Sequence, residues 1–412
     1  MKVVHILTTF EGGAGIAAYR IFNSTRAVGV DAKALVAYGE NTDIVNVIKP
    51  VNVFSRFWFI RKIQALLVMK GIWPQSEVIN RRIQSEMNKN EKECAFSSPV
   101  TLYTTIVDHP WVKEADIIHL HWVGNFLDFR SFFSKVGKPV VWGMQDENPG
   151  LGGFHYEIWK KEATDSFRLL DDELIHLKYQ AMKNVKSMTM VVISSKLKEF
   201  AQRSKLLCNY PCTVINNGVE KENFTPVSIN IAREALNIPK DSCVFLFCAY
   251  NIHDKRKGLT ELIRALENLN LPNTLLVCLG FFHRVPESSV QIRCEGFVGN
   301  NRLQSLYYSA ADYFVMPSFA EAFGQVALEA LACGTPLIAF PNDGAYDLIT
   351  SENGVLCQDF TVDSLEEGIR IAVNEVYDRV KIREDAIRRF SYNKIGKQYV
   401  DLYENVLKEI EI

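Results

Sequence analysis

The sequence predicts an α/β protein made of two doubly wound, parallel-sheet domains. Three observations carry this. Short apolar runs of strand length alternate with longer stretches of helical period, starting at Val3. The alternation halts around Val214–Val219 and restarts at Val244. The chain has 412 residues, more than one hydrophobic core usually holds.

The first half opens on a buried strand over Val3 to Leu7, followed by the turn Gly12-Gly13-Ala14-Gly15 and a helix from about Ile16 to Val28. Further strands are expected at Ala32 to Ala37, Ile117 to His121, Pro139 to Trp142 and Met188 to Ile193. A loop from Gln145 to Tyr156 precedes a helical region, about Ser166 to Lys186, and a second helix covers Ser195 to Ser204. Val214 to Val219 reads as a strand, a turn and the domain join, dividing the chain into 1–215 and 216–391. The second half repeats the pattern, with strands at Val244 to Ala249, Thr274 to Gly280, Gln291 to Phe297, Tyr313 to Met316 and Pro336 to Phe340. Helices are expected at Leu259 to Asn268, Arg302 to Ala310, Thr361 to Tyr377 and Tyr392 to Ile410.

Composition narrows the function. A hydrophobic fraction of 48% and a charged fraction of 23% are those of an ordinary soluble globular protein. The formal net charge of −2 supplies no general attraction to nucleic acid. Nine scattered cysteines, with no Cys-x-x-Cys pair, point to free thiols in a reducing, cytoplasmic setting. No apolar run approaches the roughly 20 residues that span a bilayer, and the segment after Lys2 turns polar too soon for a secretory signal. Residues 54–73 mix aromatics with Arg56, Arg61, Lys62 and Lys70 and contain no acid. Such a segment either packs on its own domain or lies on the inner face of a membrane with its bases on anionic lipid.

The densest chemical signal is Pro317 to Pro336, where Glu321 and Glu329 stand eight positions apart with Gly324 between them. A strand leads in and another leads out, so the helix between them starts at the ligand-binding edge of a parallel sheet. Free N–H groups of its first turn, around Phe323 to Val326, are ready to hold phosphate. Glu321 then lies in the loop above, suited to sugar hydroxyls, and Glu329 about two turns down, suited to a ribose diol. Isolated glutamates on helices more often serve as dipole partners or sit in solvent. An apolar Val-Ala-Leu-Glu-Ala-Leu-Ala context makes that less economical for Glu329.

Asp254-Lys255-Arg256-Lys257-Gly258 puts cations after the first strand of the second half, where Arg forks and Lys point charges would hold a diphosphate. Gly12 and Gly13 allow close backbone approach but do not form G-x-G-x-x-G, which leaves a nicotinamide cofactor unsupported. His119 and His121 have metal-ligand spacing but no evident third ligand, and no metal is expected.

Together and in this order, Gly12-Gly13-Ala14, Asn217-Gly218-Val219, Arg256-Lys257-Gly258 and Glu321-x₇-Glu329 with Ala-Cys-Gly-Thr-Pro resemble the retaining nucleotide-sugar glycosyltransferases of the GT-B fold, group 1 or family four. Gly-Ala-Gly-Ile-Ala-Ala-Tyr-Arg20 and Ile-Ile-His-Leu-His-Trp122 are similar to the bacterial polysaccharide-biosynthesis members. The resemblance implies two Rossmann-like domains facing a central cleft, an acceptor-side domain at 1–215 and a donor-binding domain at 216–391. It also implies that helix 392–412 packs back on the first domain.

For the site, the resemblance implies that Glu329 holds the donor ribose, that Arg256 and Lys257 neutralise the diphosphate, and that Glu321 contacts the transferred sugar. Amides of Phe323, Gly324 and Gln325, with Gly13, complete the phosphate cradle, and the base meets the loop at Val298. Gln145 and Asp146 are the expected catalytic-side contacts in the first domain. Neither a cofactor nor a covalent nucleophile is implied, and the partners are a nucleotide-sugar and a glycan or lipid-linked acceptor, as in surface polysaccharide synthesis.

Four positions depart from the family pattern: Gln145 replaces a usual histidine, Asn251 a common arginine and Ala322 a common glycine, and Asp343 to Asp347 replaces Gly-Gly-x-Pro-Glu. These departures leave open a GT-B protein that binds without transferring sugar. A GT-B sugar-nucleotide epimerase is the other alternative.

Overall fold

The computed structural model describes residues 1–52, 58–70, 75–90 and 94–409. It divides into two compact units. Unit 1 comprises Met1–Ile193, Leu197–Ile215 and the segment from Gly396 onward, and unit 2 comprises Ser194–Lys196 and Asn216–Ile395.

Unit 1 is built on β1 (Lys2–Leu7), β2 (Asp31–Val36), β3 (Val45–Val47), β4 (Ile117–Leu120), β5 (Val140–Met144), β6 (Met188–Val192) and β7 (Cys212–Val214). They form one sheet in the order β3-β2-β1-β4-β5-β6-β7, parallel throughout. Every residue of β4, β5 and β6 is buried, as expected of parallel strands covered on both faces. That is why these strands read as unbroken apolar runs rather than as alternation.

Unit 2 repeats the plan with β8 (Cys243–Asn251), β9 (Thr274–Phe281), β10 (Gln291–Gly296), β11 (Tyr313–Met316), β12 (Leu337–Ala339) and β13 (Gly354–Leu356). The order is β10-β9-β8-β11-β12-β13, again all parallel. In each unit the chain first winds to one side and then returns to the other. The winding reverses between β1 and β4 and between β8 and β11, and ligands of doubly wound sheets bind outside the strand ends at such points.

The helices sharpen the sequence reading. Helix α1 covers Gly12–Ala27, so the glycine turn forms its first turn instead of preceding it. Close approach explains this: a Cβ at Gly15 would lie 2.6 Å from the carbonyl carbon of Phe10. Helix α2 covers Trp58–Met69 and exposes Ile63 and Leu66 beside Lys62 and Lys70. The remainder of the basic aromatic segment, 54–57 and 71–73, lies outside the described residues. Among those described, no helix is long and apolar enough to cross a membrane.

In unit 2, α3 (Asn301–Ala310) and α4 (Gln325–Ala332) flank β11. The helix expected to run to Tyr377 stops at Asn374, and a separate helix, α5, covers Arg379–Phe390. Its sequence is mostly charged and buries a single stripe of Ile382, Ala386 and Phe390, too thin a period to announce itself. Asp378 caps it by accepting from the N–H groups of Val380 and Lys381.

The last helix, α6 (Tyr392–Lys408), begins in unit 2 and continues from Gly396 in unit 1. There Tyr399 and Tyr403 are fully buried, and the Tyr403 hydroxyl bonds His119 of β4 at 2.6 Å. Gly396 permits this docking, since a Cβ would lie 2.6 Å from the Ser24 carbonyl oxygen of α1. Replacing Gly396 with Val should therefore cost about 1–3 kcal/mol through overpacking. A urea titration read by tryptophan fluorescence should show the midpoint fall, whereas Gly137→Val, at a position with open space, should leave it nearly unchanged.

Candidate functional site

The site in unit 2 is built where its sheet reverses. After β8, Asp254 accepts the Arg256 N–H at 2.9 Å and pairs with the Arg256 guanidinium at 3.1 Å, closing a single tight turn over Lys255–Lys257. Gly258 then takes a left-handed conformation, φ 73°. A Cβ there would stand 1.9 Å from the Pro317 carbonyl oxygen, so glycine is what lets this turn lie against the end of β11. Two bonds fasten the turns together: Phe319 N–H to Arg256 O at 2.9 Å and Arg256 Nη1 to Ala320 O at 2.8 Å.

This brings the predicted cations onto the first predicted glutamate. Lys257 Nζ donates to Glu321 Oε2, and Arg256 Nη1 lies 4.0 Å from the same oxygen. All three side chains are about one-fifth exposed. Burial would push the Glu321 carboxyl up, but Lys257 and Arg256 outweigh it and hold the carboxyl below its usual range. Gly324, at φ 89°, begins α4 without a side-chain cap, so its first turn offers N–H groups at the same edge. Phe323 is buried, its ring 5.8 Å from that of Phe390. Gly344 fits directly against Phe323, where a Cβ would come within 2.0 Å of the carbonyl oxygen, and its N–H donates to Glu321 O at 3.0 Å.

Glu329 lies within α4 at 6% exposure. The sequence reading missed its partner: the buried Tyr308 hydroxyl of α3 donates to Glu329 Oε2 at 3.0 Å. Val298 is buried just after β10, and its carbonyl accepts from Gln304 at 2.7 Å. Beside it stands a group of exposed aromatics that was also missed. Phe281 and Phe297 stack with centroids 4.8 Å apart, and Tyr250 meets both edge-on. Each of the three closes or follows one of the adjacent strands β8, β9 and β10, which is the signal that would have found them. Asn251 ends β8, and its side chain accepts the His253 N–H at 3.0 Å.

In unit 1, Gly13 lies in the first turn of α1 with nothing within 4 Å of where a Cβ would be. Gln145 and Asp146 follow β5 and are 8% and 7% exposed. Both Asp146 oxygens are engaged, Oδ1 by the Asn148 N–H at 3.0 Å and Oδ2 by His155 Nδ1–H at 2.6 Å. The Ser97 hydroxyl bonds His155 Nε2 at 2.8 Å. Lys178, fully buried, donates to the carbonyls of Asn148 and Leu151, both at 2.7 Å, and burial brings its pKa down to about 7. Asp171 accepts the N–H groups of Gly153 and Phe154, at 2.6 and 3.2 Å. A buried polar network thus holds the loop carrying Gln145 and Asp146.

Among the described residues, one group of three side chains has metal-ligand chemistry: His5, His119 and His121, all buried. His5 was missed because it lies on β1, in register with His119 of β4. His5 Nδ1 and His121 Nε2 share one hydrogen bond at 2.8 Å, and the nitrogens left over, His5 Nε2, His119 Nε2 and His121 Nδ1, are buried without a hydrogen-bond partner. The rings of His119 and His121 stack at 4.0 Å.

Comparison with known proteins follows the same division. Residues 228–389, within unit 2, match the family model of glycosyl transferases group 1. An uncharacterized glycosyltransferase of Methanocaldococcus jannaschii is 28% identical over 316 residues, 71% of this chain and 76% of that protein. A Campylobacter jejuni N,N'-diacetylbacillosaminyl-diphospho-undecaprenol alpha-1,3-N-acetylgalactosaminyltransferase is 22% identical over 63% of this chain and 70% of its own length. Among solved structures, the sucrose-phosphate synthase of Thermosynechococcus elongatus superposes with a TM-score of 0.68 at 18% identity, covering 99% of this chain and all of that one. Anabaena HepE in complex with UDP and glucose gives 0.63 at 15% identity, over 98% of this chain and 99% of that one. These structural likenesses identify the two parallel-sheet domains as the GT-B fold.

The histidine trio makes a stability prediction. Burial lowers the pKa of all three, that of His121 to about 3, whereas unfolded histidines titrate near ~6.5. As pH falls through that unfolded value, the unfolded chain binds protons that the folded chain does not, so stability is lost. Each histidine should contribute a slope of up to about 1.4 kcal/mol per pH unit below ~6. Melting curves between pH 7.5 and 5 should show a steep fall, and His5→Phe should make it shallower.

Proposed function

We propose that this chain, whose residues 228–389 match the glycosyl transferases group 1 family, moves a sugar from a nucleotide-sugar to a glycan or lipid-linked acceptor with retention of configuration. The observation that carries the reading is the Arg256–Lys257–Glu321 cluster beside an uncapped helix start, at the point where the sheet of unit 2 reverses.

The cluster explains how such a site would work. In the unliganded chain Glu321 acts as the counter-ion of both cations. A donor diphosphate, carrying more charge, takes over Lys257 and Arg256, and the first-turn N–H groups of α4 supply further donors. Glu321 is released to accept from hydroxyls of the sugar. The same cations stabilise the charge that develops on the departing diphosphate. Glu329, oriented by Tyr308, serves as the ribose contact. The acceptor attacks from the leaving-group side, with a phosphate oxygen taking its proton. A lipid-linked acceptor and a role in surface polysaccharide draw support from the Campylobacter relative, whose name specifies a diphospho-undecaprenol substrate. The exposed Ile63 and Leu66 of α2, with Lys62 and Lys70, fit a peripheral contact with the membrane carrying such a substrate.

A thermal-shift panel of UDP, GDP, ADP and their sugars tests the reading. A nucleotide at about 100 times its dissociation constant should stabilise the fold by about 2.7 kcal/mol, and one base should stand out. No shift with any member would overturn the donor-site assignment. Lys257→Ala should weaken nucleoside diphosphate binding about 10–100-fold, the worth of a charge-assisted bond. Glu329→Ala should also weaken it. Glu321→Gln should do the opposite, binding the diphosphate as tightly as wild type or tighter because the internal competitor is gone. Turnover of that variant should fall by a factor of about 10²–10³. Calorimetry with the identified nucleotide and a donor-hydrolysis assay separate these outcomes.

A further inference from the structure

Unit 2 contains a cavity of about 810 Å³ at the C-terminal end of α4, with Cys333 on its wall. The Arg256–Glu321 cluster lies at the other end of that helix, so the two sites are distinct. The volume is that of a small-molecule site. Its lining has two characters. Val227, Ile229, Val380 and Ile387 give it an apolar side. Lys221, Arg379, Arg383 and Arg388 give it four cations, against one acid, Glu384.

The guanidinium groups of Arg379 and Arg383 are the informative part. Arg379 donates to Ala311 O and to Thr335 Oγ1, both at 2.9 Å, and Arg383 donates to Phe224 O at 2.6 Å and to Ala332 O. Among the described residues no carboxylate pairs with either one. Their partners are uncharged oxygens: the Thr335 hydroxyl, the Phe224 carbonyl, and the Ala311 and Ala332 carbonyls at the C-terminal ends of α3 and α4, which offer only partial negative charge. Capping those helix ends is part of their structural work, and it leaves two positive charges in the cavity wall with no carboxylate bonded to either. Burial accordingly pulls the Arg379 pKa below its usual value.

We propose that this cavity is a second ligand site, taking a small amphipathic anion with a phosphate or carboxylate head on the cations and an aliphatic body against Val227, Val380 and Ile387. Arg379 also reaches the donor side of the domain. Thr335 Oγ1, which it holds, donates to Tyr308 O at 2.6 Å, and Tyr308 holds Glu329. A head group that draws Arg379 toward the cavity therefore changes the support of Glu329, and occupancy is coupled to nucleotide affinity. That coupling rests on the proposed function of Glu329; the binding itself does not.

The test uses the full chain with n-hexyl phosphate, and with inorganic phosphate and hexanol as its separated halves. Hexyl phosphate should raise the melting temperature by several degrees at saturation, more than either half alone. Lys221→Glu/Arg388→Glu reverses charge at exposed rim positions, and Val380→Trp fills the mouth from a residue 66% exposed, so both variants should fold. Each should abolish the hexyl phosphate shift while keeping the nucleotide shift. No shift in wild type, a shift retained in Val380→Trp, or an equal shift from inorganic phosphate would overturn the site as proposed. If hexyl phosphate binds but leaves the nucleotide dissociation constant unchanged, the coupling is overturned and the site stands. Absence of any nucleotide shift would bear on the donor reading and not on the cavity.

Discussion

The close approach of two backbone turns at the middle of the unit 2 sheet is the constraint on which the site depends. Gly258 lies so near Pro317 that no side chain fits between them, and the left-handed turn it adopts suits glycine. With that contact made, Arg256 reaches the carbonyl of Ala320 and Lys257 reaches Glu321. Without it, the cations after β8 would belong to an ordinary solvated loop. A Cα hydrogen thus decides whether a basic run becomes part of a mostly buried ion cluster, because a mostly buried charge persists only where an opposite charge is fixed beside it.

The same economy governs the rest of the second unit. α4 is nearly all apolar, yet it carries a carboxylate at each functional level, one in the loop before it and one within it. Glu321 is matched by cations and Glu329 by a hydroxyl, and the difference in partner suits a difference in task. A carboxylate held by ammonium and guanidinium groups can exchange them for a stronger anion. One held by a buried phenol keeps its place.

How much of this was legible depended on whether the information was local. The strands of both sheets could be read because a covered parallel strand is a short apolar run wherever it occurs. Glu321 and Glu329 were legible as a pair because they stand eight residues apart within one strand–loop–helix segment. Their partners were not. Lys257 meets Glu321 across 64 residues, His5 meets His121 across 116, and Ser97 meets His155 across 58. Such pairings are set by strand order, and the sequence reading named strands without ordering them. Tyr308, only 21 residues from Glu329, was missed for another reason: a tyrosine on an amphipathic helix looks like core until the neighbouring helix is placed. α5 was hidden by composition, since a helix with a three-residue apolar stripe has almost no period to detect.

The pairing of Glu321 with Lys257 and Arg256 also bears on why the site can be ready for a highly charged ligand without paying for empty cations. Two adjacent positive side chains, mostly buried and alone, would repel each other and lose hydration. An internal carboxylate offsets both effects in the unliganded chain and keeps the side chains extended toward the sheet edge. Its exposure of 18% means that little water must leave when a ligand replaces it. Exchange of one anion for another then keeps the local charge nearly balanced at every stage, and the carboxylate set free lies within the same loop, beside whatever the diphosphate carries. On this view Glu321 has two duties that share one position. As counter-ion it lets the cations exist, and under the proposed function it would be delivered to the sugar only when a diphosphate takes its place.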